Sequence, residues 1–198
     1  IAACSRLHSF GAFMQVTALE IPGLVLFSQA QHHDHRGYFA ETFRRNDFVE
    51  VCGSIDLVHD NVSWSHQGVL RGLHFQHRQP QGKLVQVLNG QIFDVAVDLR
   101  PDSPFFGKHL GMKLTPGQSL WLPPGFAHGF YTLSEEAVVA YKCSTYFAPD
   151  DQYSIHFDDP QLAIEWPWLP DPFDPNERLL VISENDRQAP TLDTVGLF

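Results

Sequence analysis

The chain has 198 residues, enough for one ordinary domain, and 43% hydrophobic with 13% aromatic residues is ample for a core. A formal net charge of −10 speaks against a nucleic-acid surface, and no apolar run approaches membrane-spanning length. Three cysteines, Cys4, Cys52 and Cys143, make no C-x-x-C pair, and the odd count points away from a disulfide framework and towards a reducing compartment such as the cytoplasm.

Residues 1–13 look unlike the rest and read as an N-terminal extension or a cloning remnant, since Met14-Gln15-Val16 has the character of a start. They hold too little apolar sequence for a signal peptide. One domain is expected over 14–198. Strands are expected at 24–27 and 38–43. A short helix fits 47–52, with Asn46 as N-cap and Gly53 as C′. A further strand fits 57–63. Residues 68–76, Gly-Val-Leu-Arg-Gly-Leu-His-Phe-Gln, also read as a strand. Strict alternation puts Gly68, Leu70, Gly72, His74 and Gln76 on one face and Arg71, Leu73 and Phe75 on the other, unless the glycines bend it. A face of small residues with a His and a Gln lines a cavity rather than filling a core.

Two apolar runs within 83–98 flank Asn89-Gly90, a hairpin signal. The second run alternates Phe93, Val95 and Val97 against Asp94, Ala96 and Asp98. More strands fit 109–114, 119–122, 128–132 and 137–146. The Pro-rich stretch 160–175 reads as a surface excursion, and 176–182 as a short helix or turn. So many short strands predict an all-β, double-sheet barrel with a few short helices.

Gly68 and His74 fit the start of a G-x5-H-x-H pattern, while Gly117, Pro123, Gly125 and His128 fit G-x5-P-x-G-x2-H. Together these resemble the paired motifs of cupins, which are jelly-roll barrels. In metal-binding cupins a second His and a Glu follow the first. Here Gln76 replaces the His, and Pro80 or Gln81 stands where the Glu belongs. Only His74 and His128 remain, and a first-row catalytic metal generally needs about three protein ligands. No metal or other cofactor is expected. The chemistry then falls to acids and bases.

The resemblance becomes more specific over the whole of 14–198. Asp34-His35-Arg36-Gly37-Tyr38-Phe39-Ala40-Glu41, Asp60-Asn61-Val62-Ser63, Leu70 to Gln76, Gln81-Gly82-Lys83-Leu84-Val85, Phe93 to Arg100, Pro124 to Phe130, Tyr141-Lys142 and Ser183-Glu184-Asn185-Asp186 follow in order. This series resembles the dTDP-4-dehydrorhamnose 3,5-epimerases. The family inverts C3 and C5 of dTDP-4-dehydro-6-deoxyglucose without a metal. Both carbons lie beside the C4 ketone. The reaction needs a base, stabilisation of an enolate, and an acid on the opposite face.

The resemblance implies a role for each of several residues. His74 is the base, since imidazole titrates near working pH. Asp186 is its acidic partner. Lys83 is the cation beside the enolate oxygen. Tyr141 is the acid, important above all at C5. Arg36 and Arg71 suit the diphosphate through their guanidinium forks, or alternatively pair with Glu41 or Asp60. His128 contacts substrate, and Phe147, next to Tyr146, stacks on thymine. Glu41 and Asn61 complete the substrate-contacting set. His59, Gln152 and Asn185 stand at substrate-contacting positions where many members have Gln, Glu and Lys, which leaves room for a related dTDP-sugar. The family also implies a homodimer with shared active sites, Arg36 entering the neighbour's.

Other readings stay open on the sequence. A C3-only or C5-only epimerase would share these motifs. A metal-dependent cupin would need ligands beyond His74 and His128, and His66 and His77 have the wrong spacing. A sugar-binding cupin without activity would have no use for His74, Lys83, Tyr141 and Asp186 together.

Overall fold

The computed structural model describes residues 5–10 and 14–196. Two antiparallel sheets face each other. The first runs β1 (Ser5–Phe10), β2 (Met14–Ala18), β3 (Val25–Gln29), β11 (Gln118–Leu122), β8 (Lys83–Asn89), β13 (Glu136–Cys143) and β6 (His59–His66) in spatial order. The second runs β10 (His109–Leu114), β9 (Ile92–Asp98), β12 (Phe126–Thr132), β7 (Val69–Gln76) and β14 (Gln152–Ser154). A short β15 (Val181–Ile182) adds to β7 in parallel. β4 (Gln31–Asp34) and β5 (Gly37–Ala40) form a separate hairpin. The helices are α1 (Arg45–Cys52) and α2 (Glu184–Arg187). Among the described residues no helix is long and apolar enough to cross a membrane.

Strand alternation sorts the side chains into three apolar layers. Between the sheets, Val85, Val87, Leu120 and Leu122 of the first meet Ile92, Ala96, Phe126 and Phe130 of the second. The outer face of the second sheet buries Leu70, Leu73, Phe75, Val95 and Val97 under Ile155, Phe157, Leu162 and Trp166 of the C-terminal run. The outer face of the first sheet is covered by α1, whose Phe48 sets its ring edge-on to Trp121 at 4.9 Å.

Several expectations are corrected. Asn89-Gly90 does not close a paired hairpin: β8 pairs with β11 and β13, and β9 with β10 and β12. The turn carries the chain from one sheet to the other. Gly90 has φ +81°, and a Cβ there would lie 2.1 Å from the carbonyl oxygen of Glu136, so only glycine fits this corner. The helix starts at Arg45, one residue before Asn46; Arg44 occupies the N-cap and makes no side-chain cap bond. Gly53 ends the helix at φ +86°, as its C′ position required. Residues 176–182, expected as a short helix or turn, contain no helix; a turn at their start leads into β15. Residues 5–10, set outside the fold on sequence, pair with β2 as an edge strand.

Candidate active site

The site begins with an irregularity in β7. His74 pairs with His128, but Arg71 pairs with Phe130, so three steps on β7 match two on β12. This bulge shifts the side-chain alternation at Gly72. Leu70, Leu73 and Phe75 all join the outer apolar layer. Arg71 moves to the interior face and shares it with His74, where strict alternation had set them apart. Gly72 makes the bulge possible. Its φ is +127°, and a Cβ would stand 2.4 Å from the Gly129 Cα.

His74 Nε2 lies 2.6 Å from Asp186 Oδ1. An ionised carboxylate only accepts, so Nε2 carries the hydrogen and Nδ1 is left as the ring's basic atom. Asp186 is itself held in place. Its Oδ2 accepts from the Gly72 N–H at 3.3 Å, and its own N–H donates to the Ser183 hydroxyl that caps α2, at 3.1 Å. Burial opposes ionisation of this carboxyl, but the bonds from His74, Gly72 and Ser183 outweigh it and hold the pKa below the usual carboxylate value. A pair of this kind can serve as a base with a fixed tautomer and a counter-charge for its protonated form.

A second group of polar side chains lies on the interior faces of neighbouring strands. His128 Nε2 is 2.7 Å from Asp94 Oδ2, both side chains almost wholly buried. Asp94 Oδ1 has no hydrogen-bond partner. Tyr141 packs edge-on to His128, with ring centroids 6.1 Å apart, and its phenol oxygen is 2.8 Å from Ser63 Oγ. Burial pushes the Tyr141 pKa well up, and the charge of Asp94 pushes it further. Tyr141 is therefore a neutral phenol. Lys83 Nζ reaches the His74 carbonyl at 3.4 Å, and burial lowers its pKa below that of a free lysine, against the pull of Cys143 and Asp94. A desolvated ammonium is strongly attracted to developing negative charge.

A cleft of about 810 Å³ opens over this region, walled by Arg71, His74, Phe147, Gln152, Asn185 and Asp186 among others. That volume suits a ligand of nucleotide-sugar size. Lys83, Tyr141 and His128 are not among its lining residues and stand on strands β8, β13 and β12. Arg71 donates from Nε to Ser65 Oγ at 3.0 Å and does not pair with Asp60, which bonds Lys142 instead. Tyr146 is exposed and rests against His59 with ring centroids 5.9 Å apart. Asn61 lies across from Tyr141 on β6. Arg36 and Glu41 are not on the cleft wall: Arg36 forks onto Asp34, and Glu41 accepts a fork from Arg44. Among the described residues no three His, Cys, Asp or Glu side chains are grouped to hold a metal ion.

Sequence reasoning assigned no role to Ser63 or Ser65 and set Asp94 apart only by the alternation of its strand. Their signal was available in part. Ser63 and Ser65 alternate on one edge strand, and Asp94 is a charged residue inside an otherwise apolar barrel strand. Which side chain each would meet depended on strand order.

The family model described as dTDP-4-dehydrorhamnose 3,5-epimerase matches residues 18–194. The dTDP-4-dehydrorhamnose 3,5-epimerase of Pseudomonas aeruginosa is 45% identical over 188 residues, covering 93% of this chain and 99% of that protein. A crystal structure of the Legionella pneumophila enzyme in complex with dTDP-4-keto-L-rhamnose superimposes with a TM-score of 0.85 at 43% identity, over 92% of this chain and 94% of that one. A double mutant of ChmJ, a 3'-monoepimerase from Streptomyces bikiniensis, in complex with dTDP, gives a TM-score of 0.80 at 31% identity, over 90% of this chain and 87% of that one. By the extent of these matches, the chain belongs to the dTDP-4-dehydrorhamnose 3,5-epimerase family.

Proposed function

We propose that this protein converts dTDP-4-dehydro-6-deoxy-D-glucose to dTDP-4-dehydro-L-rhamnose by inverting C3 and C5 in turn. His74 removes the proton next to the C4 ketone, and Asp186 stabilises the imidazolium that forms. Lys83 stabilises the enolate oxygen. Tyr141 returns a proton to the opposite face of the ring. Arg71, Phe147, Gln152 and Asn185 hold the nucleotide and sugar along the cleft. The observation that carries this reading is the His74–Asp186 pair, 2.6 Å apart on the wall of a cleft, with the half-buried Lys83 and Tyr141 on the facing sheet. Abstraction of an α-proton, charge stabilisation and reprotonation need these three kinds of group together.

The same reading makes the active unit a cytoplasmic homodimer. Arg36 lies on an exposed hairpin beside the exposed side chains of Tyr38 and Phe39, and Val62 and Trp64 are exposed on edge strand β6. A second copy seated there would bury this apolar surface and bring Arg36 to the neighbour's cleft. Cys52 and Cys143 are free thiols, which suits a reducing compartment.

The test is incubation with the 4-keto sugar nucleotide in D2O, after EDTA treatment, followed by NMR at C3 and C5. Deuterium at both carbons is the expected result. Deuterium at C3 alone identifies a 3-epimerase, and no exchange at either carbon overturns the reading.

A further inference from the structure

Ser63 and Ser65 lie two residues apart on β6, so their side chains share the interior face of that edge strand. Ser65 Oγ accepts from Arg71, and Ser63 Oγ meets the Tyr141 phenol at 2.8 Å. The direct cross-strand partner of Ser63 is Val139, so its contact with Tyr141 runs diagonally, one pleat further along β13. Ser63 is thus the hydrogen-bond partner of the phenol oxygen.

A phenol has one proton to give. While it donates to Ser63, that proton lies along the Ser–Tyr axis and is withheld from the substrate. When the serine donates instead, the phenol proton is free. A serine hydroxyl donates and accepts, and it exchanges these roles by rotating its hydrogen alone. In the transfer, the Tyr141 O–H bond breaks, its electron pair stays on oxygen as phenolate, and the enolate electrons form the new C–H bond while C4 returns to a ketone. The phenolate then meets a hydrogen bond already aimed at it; solvent returns a proton to Tyr141 while the proton that His74 took from carbon leaves to solvent, so both groups are reset before the next turnover. Burial and the charge of Asp94 oppose that phenolate, while Ser63 and Arg71 favour it.

We propose that Ser63 is a positioning residue for Tyr141, whose hydroxyl controls how completely the reaction proceeds at C5 relative to C3. The proposal rests on the reading of Tyr141 as the acid of the C5 step.

The experiment compares the unaltered protein with Ser63→Ala and Ser63→Thr in D2O, recording deuterium at C3 and at C5 separately. Ser63→Ala is expected to keep C3 exchange within about twofold and to slow C5 exchange about tenfold, the effect of one lost hydrogen bond. Ser63→Thr keeps a hydroxyl and is expected to restore the C5 rate. An unchanged C5 to C3 ratio in Ser63→Ala overturns the proposal, and so does a fall that Ser63→Thr does not reverse, which would mark a packing role. Exchange at C3 alone in the unaltered protein also overturns it while leaving an epimerase. Exchange at neither carbon removes the underlying reading itself.

Discussion

His74 and His128 are direct partners across β7 and β12, yet each pairs its Nε2 with a different aspartate. His74 meets Asp186 on the cleft wall and keeps a side-chain exposure of 30%, whereas His128 meets Asp94 in the interior and keeps 6%. Two positions that would share one metal in a metal-binding cupin have become two separate hydrogen-bonded pairs. Only the first opens on the space where a substrate can bind. This difference in access is why the base is assigned to His74 and not to His128.

Replacing His74 with alanine removes the proposed base. Exchange at C3 and at C5 is expected to fall by at least about 100-fold, the lower end of what a general base supplies. Deuterium uptake followed by NMR measures it.

Asp186→Asn keeps the shape of the pair but removes the charge proposed to stabilise the imidazolium. Turnover is expected to fall about 100-fold or more with little change in KM, read by steady-state kinetics.

The same carboxylate contributes to stability in a defined direction. Its folded pKa is lower than its unfolded value, so the stabilisation is present above the ordinary carboxylate range and lost as pH falls through the folded pKa. Thermal melts of the unaltered protein and of Asp186→Asn are expected to differ most above the ordinary carboxylate range and to draw together as pH falls below it.

Tyr141→Phe removes the phenol proton but keeps the ring against His128. C5 inversion is expected to drop about 100-fold while proton loss at C3 persists. Product analysis by NMR distinguishes the singly from the doubly inverted sugar.

Gly72→Ala is expected to destabilise the fold by about 3 kcal/mol or more, because the new Cβ would collide with backbone rather than with a side chain that can rotate. Denaturant unfolding measures this. A stable variant with full activity would contradict the role given to the bulge.

Much of the site was legible because its residues sit in contiguous motifs. His74, Lys83 and Tyr141 each lie in a strand whose pattern shows in the sequence, and the alternation of β9 correctly set Asp94 apart from Val95 and Val97. The pairing of β8 with β9 across Asn89-Gly90 was misread because a tight turn specifies a reversal of direction. It does not specify whether the next strand joins the same sheet. The shift at Gly72 was also beyond a period-two pattern: two glycines permit a bulge, and only the register against β12 fixes it.

The order of apolar and polar residues along the chain was enough to determine an all-β barrel, its motif histidines and a strand that lines a cavity, because each is a local pattern. Tertiary structure alone decided which groups meet. Asp186 reaches His74 from 112 positions away and Tyr141 reaches Ser63 from 78. Such contacts depend on strand order and on the bulge that turns Arg71 inward, and neither is encoded within a single segment. Hydrogen bonds of 2.6 and 2.8 Å form only after the sheets have packed and fixed the strands that carry these side chains.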